Sequence, residues 1–315
     1  MSLINYNVRI MPPLADPPVS DFLLRALSGG MLAALICGVV GTWVVIRGMA
    51  FFGEAIGHGM LPGVAVATVL GWPVLVGGAV SSIAMSGMIA LLQRRGRLSY
   101  DTSIGLLFVG MLSMGVIVVS HSGTFATDAT VMLFGDILAI GASDILVLAV
   151  TAMVTITIAA VFHRPFVAVA FDERIARSLG LRPQLAKLLQ VGLVTLAVVA
   201  SYKAVGSLLV VGLLLAPAVA ASPWTTRIPF RMCAAVGFGT AAVGVGLTVS
   251  WYAGTAAGAS IAGSAILLAC CSAIAHGFWE RLAYRRAARP GQARPGQASP
   301  SQGNPLTERK REECS

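Results

Sequence analysis

Apolar runs of helical length, separated by short polar or glycine-rich breaks, recur from residue 22 to residue 279. They cover 22–46, 50–70, 74–92, 103–120, 144–162, 188–202, 206–221, 232–252 and 258–279. Each is near the roughly 20 residues that an α-helix needs to cross a hydrocarbon core about 30 Å thick. Lipid offers no hydrogen-bond partner to backbone N–H and C=O groups, so runs of this kind predict helices. The expected fold is an all-α polytopic membrane protein with about nine transmembrane helices.

Charge then orients the spans. Arg47, the group Arg94, Arg95 and Arg97, the stretch from Arg164 to Lys187, Arg227 with Arg231, and the residues from Arg281 onward all follow odd-numbered runs. Loops after even-numbered runs are almost free of Lys and Arg, Lys203 being the exception. The positive-inside rule places the N-terminus outside and the C-terminus in the cytoplasm. Three regions follow: an exposed proline-rich lead-in over 1–20 without a cleavable signal pattern, a membrane domain over 21–284, and a disordered basic tail over 285–315. The tail carries the repetitive stretch RPGQARPGQASPSQGNP, too polar to bury a core.

Composition narrows the function classes. The chain is 57% hydrophobic and 11% charged, against roughly 25% charged in soluble domains. A net charge of +9 sits at span ends and in the tail, so a nucleic-acid groove is excluded in favour of contact with membrane lipid. Only Lys187, Lys203 and Lys310 are lysines, and none lies in a Gly-Lys-Ser/Thr context. The chain therefore lacks a phosphate-cradling loop, and ATP-driven work must come from a separate subunit. No HExxH occurs and no catalytic dyad stands out, so the chain is not expected to be an enzyme or to hold a permanent cofactor. The five cysteines, Cys37, Cys233, Cys270, Cys271 and Cys314, form no C-x-x-C spacing and predict no disulfide.

One apolar segment carries chemistry. FFGEAIGHGMLPGVAV, from Phe51, places Glu54 and His58 one helical turn apart, with Cβ atoms roughly 6 Å from each other on one face. A carboxylate and a neutral imidazole suit divalent ions such as Zn²⁺ and Mn²⁺. Pro62 and Gly63 loosen the helix ladder just beyond. Ionisable residues at membrane depth mark ion paths by default, and the plainer reading is a hydrogen-bonded pair that pins two helices. Asp136, after Phe134 and Gly135, either caps a short helix starting at Ile137 or meets the ion. His121 and Asp128 lie in an outer loop, Asp101 reads as an N-cap or inner-mouth residue, and His163 and His276 as structural residues near the inner interface.

The cytoplasmic loop at about 164–187 contains a further element. Residues 171–181 predict a short amphipathic helix with Phe171, Ile175 and Leu179 on one side, Asp172, Glu173, Arg174 and Arg177 elsewhere, and a stop at Gly180. The pattern leaves two roles open, a helix lying on the membrane surface or one docking into another subunit.

RGMAFFGEAIGHGMLPGVAVA from Arg47, DTSIGLLFVGMLSMGVIVVS from Asp101, LFGDILAI from Leu133, AFDERIARSLGL from Ala170 and KAVGSLLVVGLLLAPAVAA from Lys203 together resemble the membrane permease of the zinc/manganese ATP-binding-cassette importers. The resemblance implies a homodimeric permease in a bacterial inner membrane, a cytoplasmic ATP-binding-cassette ATPase, and an extracytoplasmic metal-binding protein that delivers the ion. It also implies that Glu54 and His58 coordinate the transported Zn²⁺ or Mn²⁺. Glu54 stands where aspartate is frequent in that family, which changes reach by about 1.5 Å. The segment with Phe171, Asp172, Ile175, Arg177, Leu179 and Gly180 resembles the coupling helix that seats in the ATPase. WYAGTAAGAS, before the ninth run, lacks the acidic residue and proline of many relatives. Two alternatives remain open: a permease for a metal chelate such as a siderophore or cobalamin, and a proton-coupled carrier with Glu54 as the proton-binding group.

Overall fold

The computed structural model describes residues 17–94, 99–120, 135 and 137–287. Among these every regular element is a helix: α1 (Pro17–Ile46), α2 (Ala50–Gly59), α3 (Leu61–Leu70), α4 (Val74–Arg94), α5 (Tyr100–Ser120), a 3₁₀ turn (Ile137–Ala139), α6 (Ala142–Val161), α7 (His163–Phe171), α8 (Glu173–Ser178), α9 (Pro183–Ala221), α10 (Ile228–Ala253) and α11 (Ala257–Ala287). Eight segments within them are long and apolar enough to cross a membrane. The chain divides into two units after Ile274, and the described residues of the second, 275–287, are helical.

The run at 50–70 differs from the uninterrupted span expected of it. It forms two ten-residue helices, α2 and α3, that meet at Met60. Pro62 has no N–H to give to the carbonyl of His58, the ladder partner four residues back, so the helix cannot pass through intact.

The runs at 188–202 and 206–221 form two helices, the two arms of α9, joined at Gly206, which is non-helical at φ 74°, ψ 165°. A side chain there would clash with its own backbone, which is why glycine holds the position. Two of its neighbours settle the direction of the chain. Arg47 at the end of α1 reaches Gln190, and Gly41 of α1 lies against the Leu214 carbonyl. Residues 41 and 47 are about 9 Å apart along α1, whereas residues 190 and 214 of a straight helix are about 36 Å apart. Only a chain that folds back near Gly206 brings both to α1. Two antiparallel arms result, Pro183–Tyr202 and Ala204–Ala221.

Helix α1 is the central post. Its Ala33, Ala34, Ile36, Cys37, Val40 and Trp43 are buried, and it packs chiefly against α9, α10 and α6. Small residues set the approach, as expected where helices associate in lipid by close packing. A Cβ on Gly41 would lie 1.9 Å from the Leu214 carbonyl oxygen, and one on Gly246 would lie 2.4 Å from the Ile261 Cα. In α10 the small-residue pattern divides by face: Gly239 meets Ala34, whereas Gly237 and Gly244 meet nothing within 4 Å. Cys37 is buried and Cys233, Cys270 and Cys271 are exposed, all as free thiols.

Candidate metal centre and coupling surface

Helix α2 is short because of its sequence, and that shortness places the pair. Ten residues span about 15 Å, so a helix entering at Arg47 brings His58 roughly halfway through a ~30 Å core. Broken backbone at such depth persists where protein covers it or where it lines a cavity. The glycines of the segment choose its packed faces. Cβ atoms on Gly53 and Gly57 would meet Leu214 and Val211 of the second α9 arm at 2.6 and 3.4 Å. A Cβ on Gly59 would overlap Met85 at 1.9 Å, and one on Gly63 would lie 2.1 Å from the Gly77 carbonyl oxygen. These contacts hold α2 on α9 and α3 on α4.

Glu54 and His58 occupy what is left. They share a stripe with Phe51, which is 65% exposed, and both are half-buried. The His58 ring packs edge-on against Phe108 of α5, with centroids 5.3 Å apart and an interplanar angle of 81°. Its Nδ1 is buried and has no hydrogen-bond partner among the described residues, while the Glu54 carboxylate is near enough to act on the ring electrostatically. An orphaned buried nitrogen costs stability unless something fills its lone pair. A divalent cation shared with the neighbouring carboxylate would do so, and the donor set fits Mn²⁺ or Zn²⁺. No group of three or more His, Cys, Asp or Glu able to hold a metal occurs among the described residues, where Glu54 and His58 stand as a pair of candidate donors. Asp136, His121 and Asp128 lie outside the described residues.

The loop over 164–187 is built differently from the single helix expected over 171–181. Phe171 ends α7, Asp172 is extended at φ −157°, ψ 128°, and the Arg174 N–H donates to Asp172 Oδ1 at 2.7 Å. Asp172 thus caps a separate helix, α8, because its short side chain reaches the unpaired N–H groups of the first turn. The Leu181 N–H donates to the Ala176 carbonyl at 3.0 Å, and Gly180 closes the element at φ 71°. Ala176 is fully buried, while Phe171 and Leu179 are 79% and 66% exposed. Arg177 is exposed beside them; the side chain of Ile175 lies outside the described residues.

Other expectations shift in smaller ways. Ser99, not Asp101, caps α5, since the Thr102 N–H donates to Ser99 Oγ at 3.2 Å. His163 packs edge-on against Trp43, centroids 5.8 Å apart, and His276 lies 3.8 Å from Glu280. Two residues now evident were missed, Phe108 and Gln190. Phe108 gives no signal in an apolar run, whereas Gln190 is the one amide in the run at 188–202 and could have been noticed.

The chain matches the model of the ABC 3 transport family over residues 19–276. It is 32% identical over 241 residues to the manganese transport system membrane protein MntC of Halalkalibacterium halodurans, covering 76% of this chain and 82% of that protein. It is 27% identical over 248 residues to the chelated iron transport system membrane protein YfeC of Yersinia pestis, covering 79% and 84%. Among solved structures it is similar to PsaBC from Streptococcus pneumoniae in complex with Fab, with a TM-score of 0.73 and 28% identity over 80% of this chain and 90% of that one.

Proposed function

The chain belongs to the ABC 3 transport family and is a multi-pass permease of a metal importer of that type; we propose that its cargo is Mn²⁺, coordinated by Glu54 and His58. The observation that carries this reading is the buried, unpartnered Nδ1 of His58 beside the half-buried Glu54, on a half-helix ending near mid-membrane. Imidazole plus carboxylate serves zinc as well as manganese, and the similarity to a manganese transport protein favours manganese.

The pair lies on the stripe of α2 that its own chain leaves open, where Phe51 is exposed. In the proposed cycle two copies bring their pairs to one axial path, giving up to four ligands. Separation of the pairs then weakens coordination and releases the ion inward. The N-terminus faces outside and the C-terminus the cytoplasm, a reading that the distribution of Lys and Arg supports. A separate ATP-binding-cassette ATPase seats on Phe171, Asp172, Ile175, Arg177, Leu179 and Gly180, and an extracytoplasmic binding protein delivers the metal.

Uptake of Mn²⁺ into vesicles containing the assembled transporter tests the site. Glu54→Ala and His58→Ala each remove a ligand with little packing volume and should abolish uptake at normal assembly. Wild-type uptake by either variant across a range of metal concentrations would overturn the coordinating role. A chelate permease, the reading that the similarity to an iron transport protein keeps in view, predicts a wider path without ligating side chains, so uptake of an iron chelate unaffected by both substitutions would favour it.

A further inference from the structure

Arg47 and Gln190 form a contact that neither the metal pair nor the docking surface uses. Arg47 Nη1 donates to Gln190 Oε1 at 2.5 Å. Gln190 is 1% exposed and Arg47 is half-buried. In a low-dielectric setting a hydrogen bond to a guanidinium is among the stronger ones, and leaving either partner behind is costly, so the two residues move together.

The elements they join are the two that an ATP-driven cycle must connect. Arg47 follows the last residue of α1 and precedes Gly48, which has φ 66° and open space around it. The Gly48 and Met49 N–H groups donate to the Val45 and Val44 carbonyls at 3.2 and 3.0 Å, which fixes the turn and passes a displacement of Arg47 to the base of α2, with Glu54 about 10 Å further along the chain axis. Gln190 sits about 10 Å into the arm that leaves the cytoplasmic loop at Pro183. Beside that arm runs an open groove of about 1400 Å³, bordered by Ile83, Gly87, Leu188 and Gly192. Above the turn, α2 rests on the second arm of α9 through Gly53 and Gly57 against Leu214 and Val211, so the half-helix contacts both arms of α9. Gln190 Nε2 is buried without a partner. A buried amide nitrogen without a partner is costly, so Arg47 is what holds this side chain in place.

We propose that the Arg47–Gln190 hydrogen bond is the latch through which the arm after the cytoplasmic loop moves the half-helix bearing Glu54 and His58, with both residues acting as positioning residues. This rests on the reading of the chain as an ATP-driven metal permease. The test uses the assembled transporter with its ATPase and binding protein in vesicles, Mn²⁺ alone as cargo, and the number of ions moved per ATP hydrolysed as readout. Gln190→Met keeps length and removes the acceptor. It should lower that ratio about tenfold or more, with ATP hydrolysis and Mn²⁺ protection of the α2 site within about twofold of wild type. Gln190→Glu keeps the acceptor and should keep the ratio near wild type, whereas a purely structural role predicts that Gln190→Met lowers assembly, hydrolysis and metal protection together. Arg47→Met should act to the same degree, and the double variant should be no worse than either single one. If Gln190→Met fails to assemble, Arg47→Met and Gln190→Glu decide the matter alone. A wild-type ratio in Gln190→Met or Arg47→Met overturns the latch. Absence of Mn²⁺ uptake in the wild-type transporter would instead overturn the functional reading.

Discussion

Leu179→Asp and Phe171→Ala test the docking surface on α7 and α8. Leu179 is 66% exposed and Phe171 79%, so most of each side chain remains for a partner to bury. Full burial of such a residue is worth about 1.5–3 kcal/mol. The exposed share then leaves about 1–2 kcal/mol at Leu179 and about 2 kcal/mol at Phe171. Phe171→Ala should therefore weaken ATPase binding by roughly 30-fold. Leu179→Asp adds an unpaired carboxylate to an apolar contact, an additional few kcal/mol, and should weaken binding by about a thousandfold. Neither substitution removes buried packing within the permease, so its thermal midpoint should hold to within a degree or two. Binding of the purified ATPase to the permease in nanodiscs gives the affinities, and uptake should fall in parallel. Mn²⁺ protection of a reporter cysteine near Glu54 should survive in both variants, since that site lies in a different segment. Stoichiometric ATPase binding and full ATP-dependent uptake in both variants would refute the docking role and leave α8 as a surface helix.

Gly63→Ala places a Cβ 2.1 Å from the Gly77 carbonyl oxygen and should destabilise the permease by about 1–3 kcal/mol. Gly87→Ala, with nothing within 4 Å, should be neutral or stabilising by up to about 1 kcal/mol; thermal unfolding in detergent compares the two. Protons compete with metal for His58, so Mn²⁺ affinity should fall as pH drops. A competition titration between pH 5 and 8 checks this, and a flat profile would remove His58 from the ligand set. Truncation after Tyr284 removes the repeat tail, and uptake at equal expression should be unchanged.

Spans, broad architecture and the Glu54–His58 pair were legible in the amino-acid sequence because lipid makes the code simple. Each crossing needs an apolar run of fixed length, and a charge inside such a run stands out against it. Pro62 even marked the weak point of the second span, through the N–H it lacks. The sequence could not say that this weak point would part α2 from α3, nor that the chain would turn between its sixth and seventh runs at a glycine of positive φ, Gly206. Those outcomes depend on what packs alongside: Gly41 admitting Leu214 to the α1 backbone, and Gly59 and Gly63 admitting Met85 and Gly77. The cytoplasmic loop was legible as amphipathic, but its division at Asp172 was a contest between helix continuation and capping, which a local side-chain hydrogen bond decided. Least legible was everything that joins distant segments. His58 against Phe108 and Arg47 against Gln190 arise from helix packing that brings residues far apart in the chain into contact, and a linear pattern of apolar and polar positions holds no record of such pairings.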